Sequence, residues 1–264
     1  MRHALHAEWT KLRTLRSTGL LLVGMVALTV VVSAAATGAA DTARCPTPER
    51  CFEDTPKLAL TGVRLGQVLA VVLAVLTVSA EYGTGTILPT LTAMPRRSAV
   101  LAAKAVVVTA TVMASGLVTV LLCLAVGRVL LPGGGFTAAH GYPPLSPADG
   151  PTLRAFCGTV LYLALVALLA LGVAAAVRET AAALTTVFAL LYLSPTFAEF
   201  VTDPRWHERL EKWTPMSAGL SVQATVAPDR QPIGPWAGLG VLAAYSAAAL
   251  LLGVLVLVRG RVRA

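Results

Sequence analysis

The stretch EYGTGTILPTLTAMPRRSAVLAAK, from Glu81 to Lys104, gathers residue types that do more than face lipid. Gly83 and Gly85 permit backbone turns that a continuous helix forbids. Thr86 is placed to cap a new helix, with Pro89 tolerated in its first turn. Ile87, Leu91 and Met94 recur at i, i+4 and i+7 and, joined by Leu88, form one apolar stripe. Pro95 stops that helix, Arg96 and Arg97 follow, Ser98 is placed to cap the next helix, and Lys104 lies near its start. The shape suits docking into a groove on a partner and passing a push to both flanking helices. It equally suits a helix lying on a surface with no partner.

Bond-making chemistry has little foothold. None of the four lysines belongs to a G-x-x-x-x-G-K-[ST] phosphate loop, so the chain cannot hold ATP by that device. HERLE is not the H-E-x-x-H of a zinc protease, and no G-x-S-x-G elbow is present. His3, His6, His140 and His207 are scattered without metal-ligand spacing. No catalytic residue and no metal site is expected. Nor is there a basic, aromatic-interleaved module for nucleic acid.

Two polar residues sit inside an apolar run: Arg64 and Gln67 share a helix face at i, i+3. Arg64 lies roughly 24 Å along the helix from Ala80, at 1.5 Å per residue, which is near the outer interface. Its guanidinium can snorkel there, or the pair can line a substrate path.

The elements that carry these residues follow from composition. Of 264 residues 56% are hydrophobic and 13% charged, and mean hydropathy is +0.75. An average soluble domain carries about 25% charged residues. Charge-free runs Ser17–Ala40, Leu65–Ala80, Ala105–Gly127, Ala155–Val177, Thr180–Ala198 and Gln231–Val258 locate six spans. Most reach the ~20 residues needed to cross the hydrocarbon as a helix. The short second run is extended outward by Leu58–Thr61, past Arg64. Helices are expected because they satisfy their own backbone in lipid; the alternation of a membrane barrel is absent. The expected architecture is all-α: one transmembrane domain over 1–264, with spans at about 18–40, 58–80, 102–130, 154–177, 180–201 and 236–258. The first span is too long, and lacks the cleavage site, for a removable signal peptide.

An even span count puts both ends on one side. Eleven of the 21 basic residues would then lie with the termini: Arg2, Lys11, Arg13, Arg16, Arg96, Arg97, Lys104, Arg178, Arg259, Arg261 and Arg263. They crowd into short segments, and the tail RGRVRA is the clearest stop, so both termini are expected in the cytoplasm. The Glu81–Lys104 stretch is then cytoplasmic, and Cys45 and Cys51 fall in an outer loop where they can pair as a disulfide or remain thiols. Cys123 and Cys157 lie in spans and are expected to pack.

Leu5, Trp9 and Leu12 share a face of LHAEWTKLRTLR, with Lys11, Arg13 and Thr14 off it and Arg16 at the end of the segment. This is expected to be an interfacial amphipathic helix over 1–17, ring inward and cations at the phosphates. Between spans five and six, Trp206, Leu210 and Trp213 form another stripe, ended by Pro215. MSAGLSVQATV then reads as a segment able to dip back into the bundle. Gly234 and Gly238, four apart, are candidates for close helix packing.

The order of Glu81, Gly85, Thr86, Leu91, Pro95, Arg97 and Lys104 resembles the inter-span segment of type-two ABC transporter permeases. AEWTKLRTLRST resembles the N-terminal interfacial helix of bacterial members, and the six-span plan is similar to theirs throughout. The chain departs from the family where Ile87, Leu88 and Pro89 replace the charged residue that often follows the Gly-Thr pair. The resemblance implies a plasma-membrane permease subunit that pairs with a second permease copy, identical or paralogous. It also implies two ATP-binding cassette subunits, which carry the ATP and magnesium, and a coupling helix in the Glu81–Lys104 segment. The chain itself would bind no cofactor. Apolar spans suit export of a hydrophobic or amphipathic compound. The rival expectation is a six-span scaffold, sensor or immunity protein without an ATPase.

Overall fold

In a computed structural model, residues 2–42, 53–83, 97–200, 203–227 and 231–259 are described. Among them there is no strand, and six helical stretches are long and apolar enough to cross a membrane. The N-terminal helix (Arg2–Thr14) meets the first span (Arg16–Ala39) at an elbow on Leu15, whose backbone is extended. The second span is Val63–Gly83, the third Arg97–Leu130, the fourth Gly150–Val177 and the sixth Pro235–Arg259.

The outward extension of the second span is a separate piece. Thr55–Ala59 forms a short helix capped by Asp54, and the turn Leu60–Gly62 parts it from the span. The break falls where the chain presses on the first span. A side chain on Gly62 would come within 2.0 Å of the Thr29 carbonyl oxygen, and one on Gly66 within 1.8 Å of the Thr29 hydroxyl. The Gly62 N–H donates to Ser33 Oγ at 3.1 Å. Small residues thus let two backbones touch, the usual way helices associate in lipid.

The fourth span is the axis of the bundle. Ala155, Leu163, Val166, Ala167, Ala170 and Ala174 are all buried, and the span packs against the second, third and sixth. Its closest approach is to the sixth: a side chain on Gly172 would meet the Ala249 carbonyl carbon at 2.5 Å, and Gly253 faces Gly172 in return. Of the two glycines singled out in sequence, Gly238 lies against the Ala218 carbonyl, whereas Gly234 has nothing near it.

The fifth span is composite: α-helix Thr180–Phe188, a π turn Ala189–Leu193, then α-helix Ser194–Glu199. The π turn immediately precedes Pro195, whose ring cannot fit an unbroken helix. Arg178 and Glu179 alone separate spans four and five. Arg178 adopts a left-handed conformation at φ 64°. Glu179 accepts from Ala181 N at 2.9 Å and Ala182 N at 2.6 Å, capping the fifth span.

Beyond the fifth span, Pro204–Trp213 forms a helix capped by Asp203, with Trp206 and Trp213 exposed and Lys212 paired to Glu208. Pro215–Leu220 and Ser221–Gln223 then turn back into the bundle. Ala218, Val222 and Gln223 are buried there, beside the fourth and sixth spans. Gln223 Nε2 donates to Thr159 Oγ1 at 3.1 Å, and Arg154 donates to the Ala224 carbonyl at 2.6 Å. The dipping segment therefore has its backbone covered by protein, as non-helical chain at this depth requires.

Candidate functional site

At the end of the bundle where the helix Arg2–Thr14 lies, four charges converge. Lys104 projects from the third span and is 4% exposed. Its ammonium donates to Glu8 Oε2 at 2.8 Å, Glu81 Oε1 at 2.8 Å and the Thr77 carbonyl at 3.1 Å, which uses all three protons. Lys11 donates to Glu81 Oε1 at 2.8 Å and approaches Glu8 Oε1 at 3.4 Å. Two carboxylates and two ammoniums balance, which is what permits the group to be buried at all. Glu81 Oε2 is buried and has no hydrogen-bond partner among the described residues.

The cluster joins three elements. Glu8 and Lys11 come from the N-terminal helix, Glu81 from the last turn of the second span, and Lys104 from the second turn of the third. It brackets both ends of the 84–96 stretch. Beside it, Arg178 donates to the Val256 carbonyl at 2.6 Å, and its guanidinium stands 5.7 Å from the Tyr82 ring centre. The ends of spans two, four and six are thus tied to one corner.

The N-terminal helix is rotated relative to the face expected from Leu5, Trp9 and Leu12. Leu12 is buried and Leu5 half-buried, while Trp9 is 47% exposed and Glu8 takes its place toward the third span. The pull of Lys104 on Glu8 sets that rotation. Lys11 faces the cluster, so it is a protein contact rather than only a cation for lipid; Arg13 and Arg16 are exposed. Glu8 was legible in principle. It stands at i+3 from Leu5 and i−4 from Leu12, and an acid on an apolar face needs a cation.

Of the residues expected in the inter-span segment, Glu81 and Lys104 meet. Gly85, Thr86, Leu91, Met94 and Pro95 lie outside the described residues, as do Cys45 and Cys51; Arg97 is described only as the first residue of the third span.

A second polar constellation sits at the far end. Gln67 is fully buried. Tyr162 of the fourth span donates to Gln67 Oε1. Gln67 Nε2 donates to Tyr192 Oη at 2.9 Å and lies 3.3 Å from Met216 Sδ. Tyr192, in the π turn, donates to the Arg64 carbonyl. Gln67 is thus a junction of spans two, four and five and the dipping segment. Arg64, one turn outward, is exposed and lines a cavity of about 570 Å³. Nearby, Asp54 ties the two outer segments. It accepts from Thr225 N, from Thr225 Oγ1 at 2.7 Å and from Val226 N at 3.0 Å, while also capping its own helix through Lys57 N at 3.1 Å.

Among the described residues, no three His, Cys, Asp or Glu side chains come together to hold a metal ion. A family model described as ABC-2 family transporter protein matches residues 4–196, well over half of the chain. No curated protein matches it.

Proposed function

This chain belongs to the ABC-2 transporter family, and from that membership we propose that it is the permease subunit of an ATP-driven exporter. It is a multi-pass membrane protein. Two ATP-binding cassette subunits, carrying ATP and magnesium, dock at the end that holds both termini, which faces the cytoplasm. A second permease copy, identical or paralogous, completes the path for a hydrophobic or amphipathic compound.

The observation that carries this reading is the Glu8–Lys104–Glu81–Lys11 cluster. A segment that receives force is useful only if its mounts are stiff, because coupling needs rigid elements with discrete arrangements. Lys104 and Glu81 clamp together the ends of spans two and three. The Glu81–Lys104 segment, with Gly85, Thr86, Leu91, Met94, Pro95 and Arg97 between those two residues, is the part of the chain that meets the ATPases. Closure of the ATPases moves this segment, and the clamp passes the movement to both spans. Trp9, Arg13 and Arg16 hold the N-terminal helix to the inner leaflet.

The test is co-purification with an ATP-binding protein, followed by ATP turnover of the complex with Leu91→Asp and Arg97→Glu. Either substitution is expected to lose the association or to uncouple turnover. Unchanged coupling in both would overturn the reading. A stable membrane complex that contains no ATP-binding protein would favour a scaffold instead.

A further inference from the structure

We infer that the cleft between the first, second and fifth spans binds an amphiphile with an anionic head group, phosphate or carboxylate, held by Lys57 and Arg64. The cleft measures about 570 Å³, within the roughly 300–1,000 Å³ of small-molecule sites. Its walls are mixed: Val32, Leu65, Met216, Leu220 and Ile233 give an apolar side, and Thr61, Thr196, Ser217 and Ser221 stand with the two cations on the polar one. Two cations line it from separate helices, Lys57 from the short outer helix and Arg64 from the first turn of the second span.

Neither cation has an acidic partner among the described residues. Glu211 is the one acid in the lining, against two cations, so the lining carries a net positive charge. Elsewhere in this chain a lysine held among helices is matched by carboxylates, as Lys104 is by Glu8 and Glu81. Snorkelling to the interface accounts for one cation on a helix. It does not account for two, from separate helices, that line one hollow.

The hollow is also rigid. The Tyr192 hydroxyl donates to the Arg64 carbonyl and accepts from Gln67, so both of its roles are used and it presents a fixed ring to the cleft. The same bond pins the backbone that carries Arg64. The apolar side chains take an acyl or alkyl chain, and the guanidinium and the ammonium that line the same cavity take the oxyanion. The occupant is either a bilayer lipid or a transported compound; the second meaning rests on the permease reading, the binding itself does not.

Detergent-solubilised protein, without any ATPase, is titrated with dodecyl phosphate and with dodecanol in competition. The phosphate is expected to bind at least tenfold more tightly, about 1.4 kcal/mol. Lys57→Gln with Arg64→Gln abolishes the preference, whereas Arg64→Lys alone keeps most of it. Anionic lipid that co-purifies with the parent protein but not with the double variant identifies a bilayer occupant. Its absence, with dodecyl phosphate still preferred, identifies a compound from solution. Equal binding of phosphate and alcohol by the unaltered protein overturns the assignment, and that comparison needs no variant to fold. Preference retained in the double variant overturns it as well. Because no ATP-binding protein is present, failure here leaves the coupling experiment untouched, and failure there leaves this one.

Discussion

Lys104 and Glu8, 96 residues apart in sequence, meet at 2.8 Å in a place almost closed to solvent. The contact fastens the N-terminal helix to the third span. It also orders the rest of the cluster, because Lys104 is the one ammonium that touches both carboxylates at 2.8 Å.

Replacing Lys104 by Met should therefore cost more than replacing either acid. Two buried carboxylates would face each other with only the half-exposed Lys11 between them, a loss of about 3–5 kcal/mol. Thermal unfolding in detergent checks it. Adding Glu8→Gln to Lys104→Met should restore part of the loss, and a double variant no more stable than Lys104→Met would deny the coupling.

The docking of the N-terminal helix should depend on pH at the alkaline end. Partial burial works against the Lys11 ammonium, but the hydrogen bond to Glu81 and the carboxylates of Glu8 and Glu81 outweigh it and raise its pKa. A raised pKa means the ion pair contributes in full below the ordinary lysine value, about 10.4. The contribution fades as pH climbs through the higher folded-state value. A spin label at the exposed Thr10 should stay restricted to about pH 10 and gain mobility above it. With Lys11→Gln the label should be more mobile at every lower pH, and the difference from the parent should vanish at the alkaline limit.

Asp54→Ala should release the outer end without disturbing the cluster. It removes the acceptor of Thr225 N, Thr225 Oγ1 and Val226 N at once. Hydrogen bonds to a charged group are worth about 1.5–3 kcal/mol each, and three on one carboxylate are not additive. Amide exchange at Thr225 and Val226 should rise by at least tenfold, while exchange around Thr77 and Lys104 stays at the parent rate.

Gln67→Leu should destabilise the protein by about 1–3 kcal/mol, since it leaves the buried Tyr162 hydroxyl without its acceptor. Adding Tyr162→Phe should recover much of that. If the double variant unfolds no later than Gln67→Leu, the hydroxyl is not the source of the loss.

What the sequence makes legible is set by locality. Spans show as long runs of Ala, Val and Leu, and helix starts show as Asp149 before Pro151 or Asp203 before Pro204, because these signals act within a turn. The dipping segment showed as small, mildly apolar residues after Pro215. Contacts between distant elements left weaker traces. Glu8, on an apolar face, calls for a cation, but nothing local says that the cation is Lys104, 96 residues away. Asp54 and Thr225 are 171 residues apart and share no pattern at all. The Gly172–Gly253 contact has no four-residue spacing to betray it, since its glycines are on different helices. The break at Gly62 was hidden because apolar residues continue across it.

Only Arg178 and Glu179 lie between the end of the fourth span and the start of the fifth. So tight a corner has consequences while the chain is still being made. With two residues of slack the ends of the two helices cannot drift apart, so they form a helical hairpin whatever the order in which they enter the membrane. The fourth then offers Gly172 as the surface against which the sixth span, made later, comes to rest.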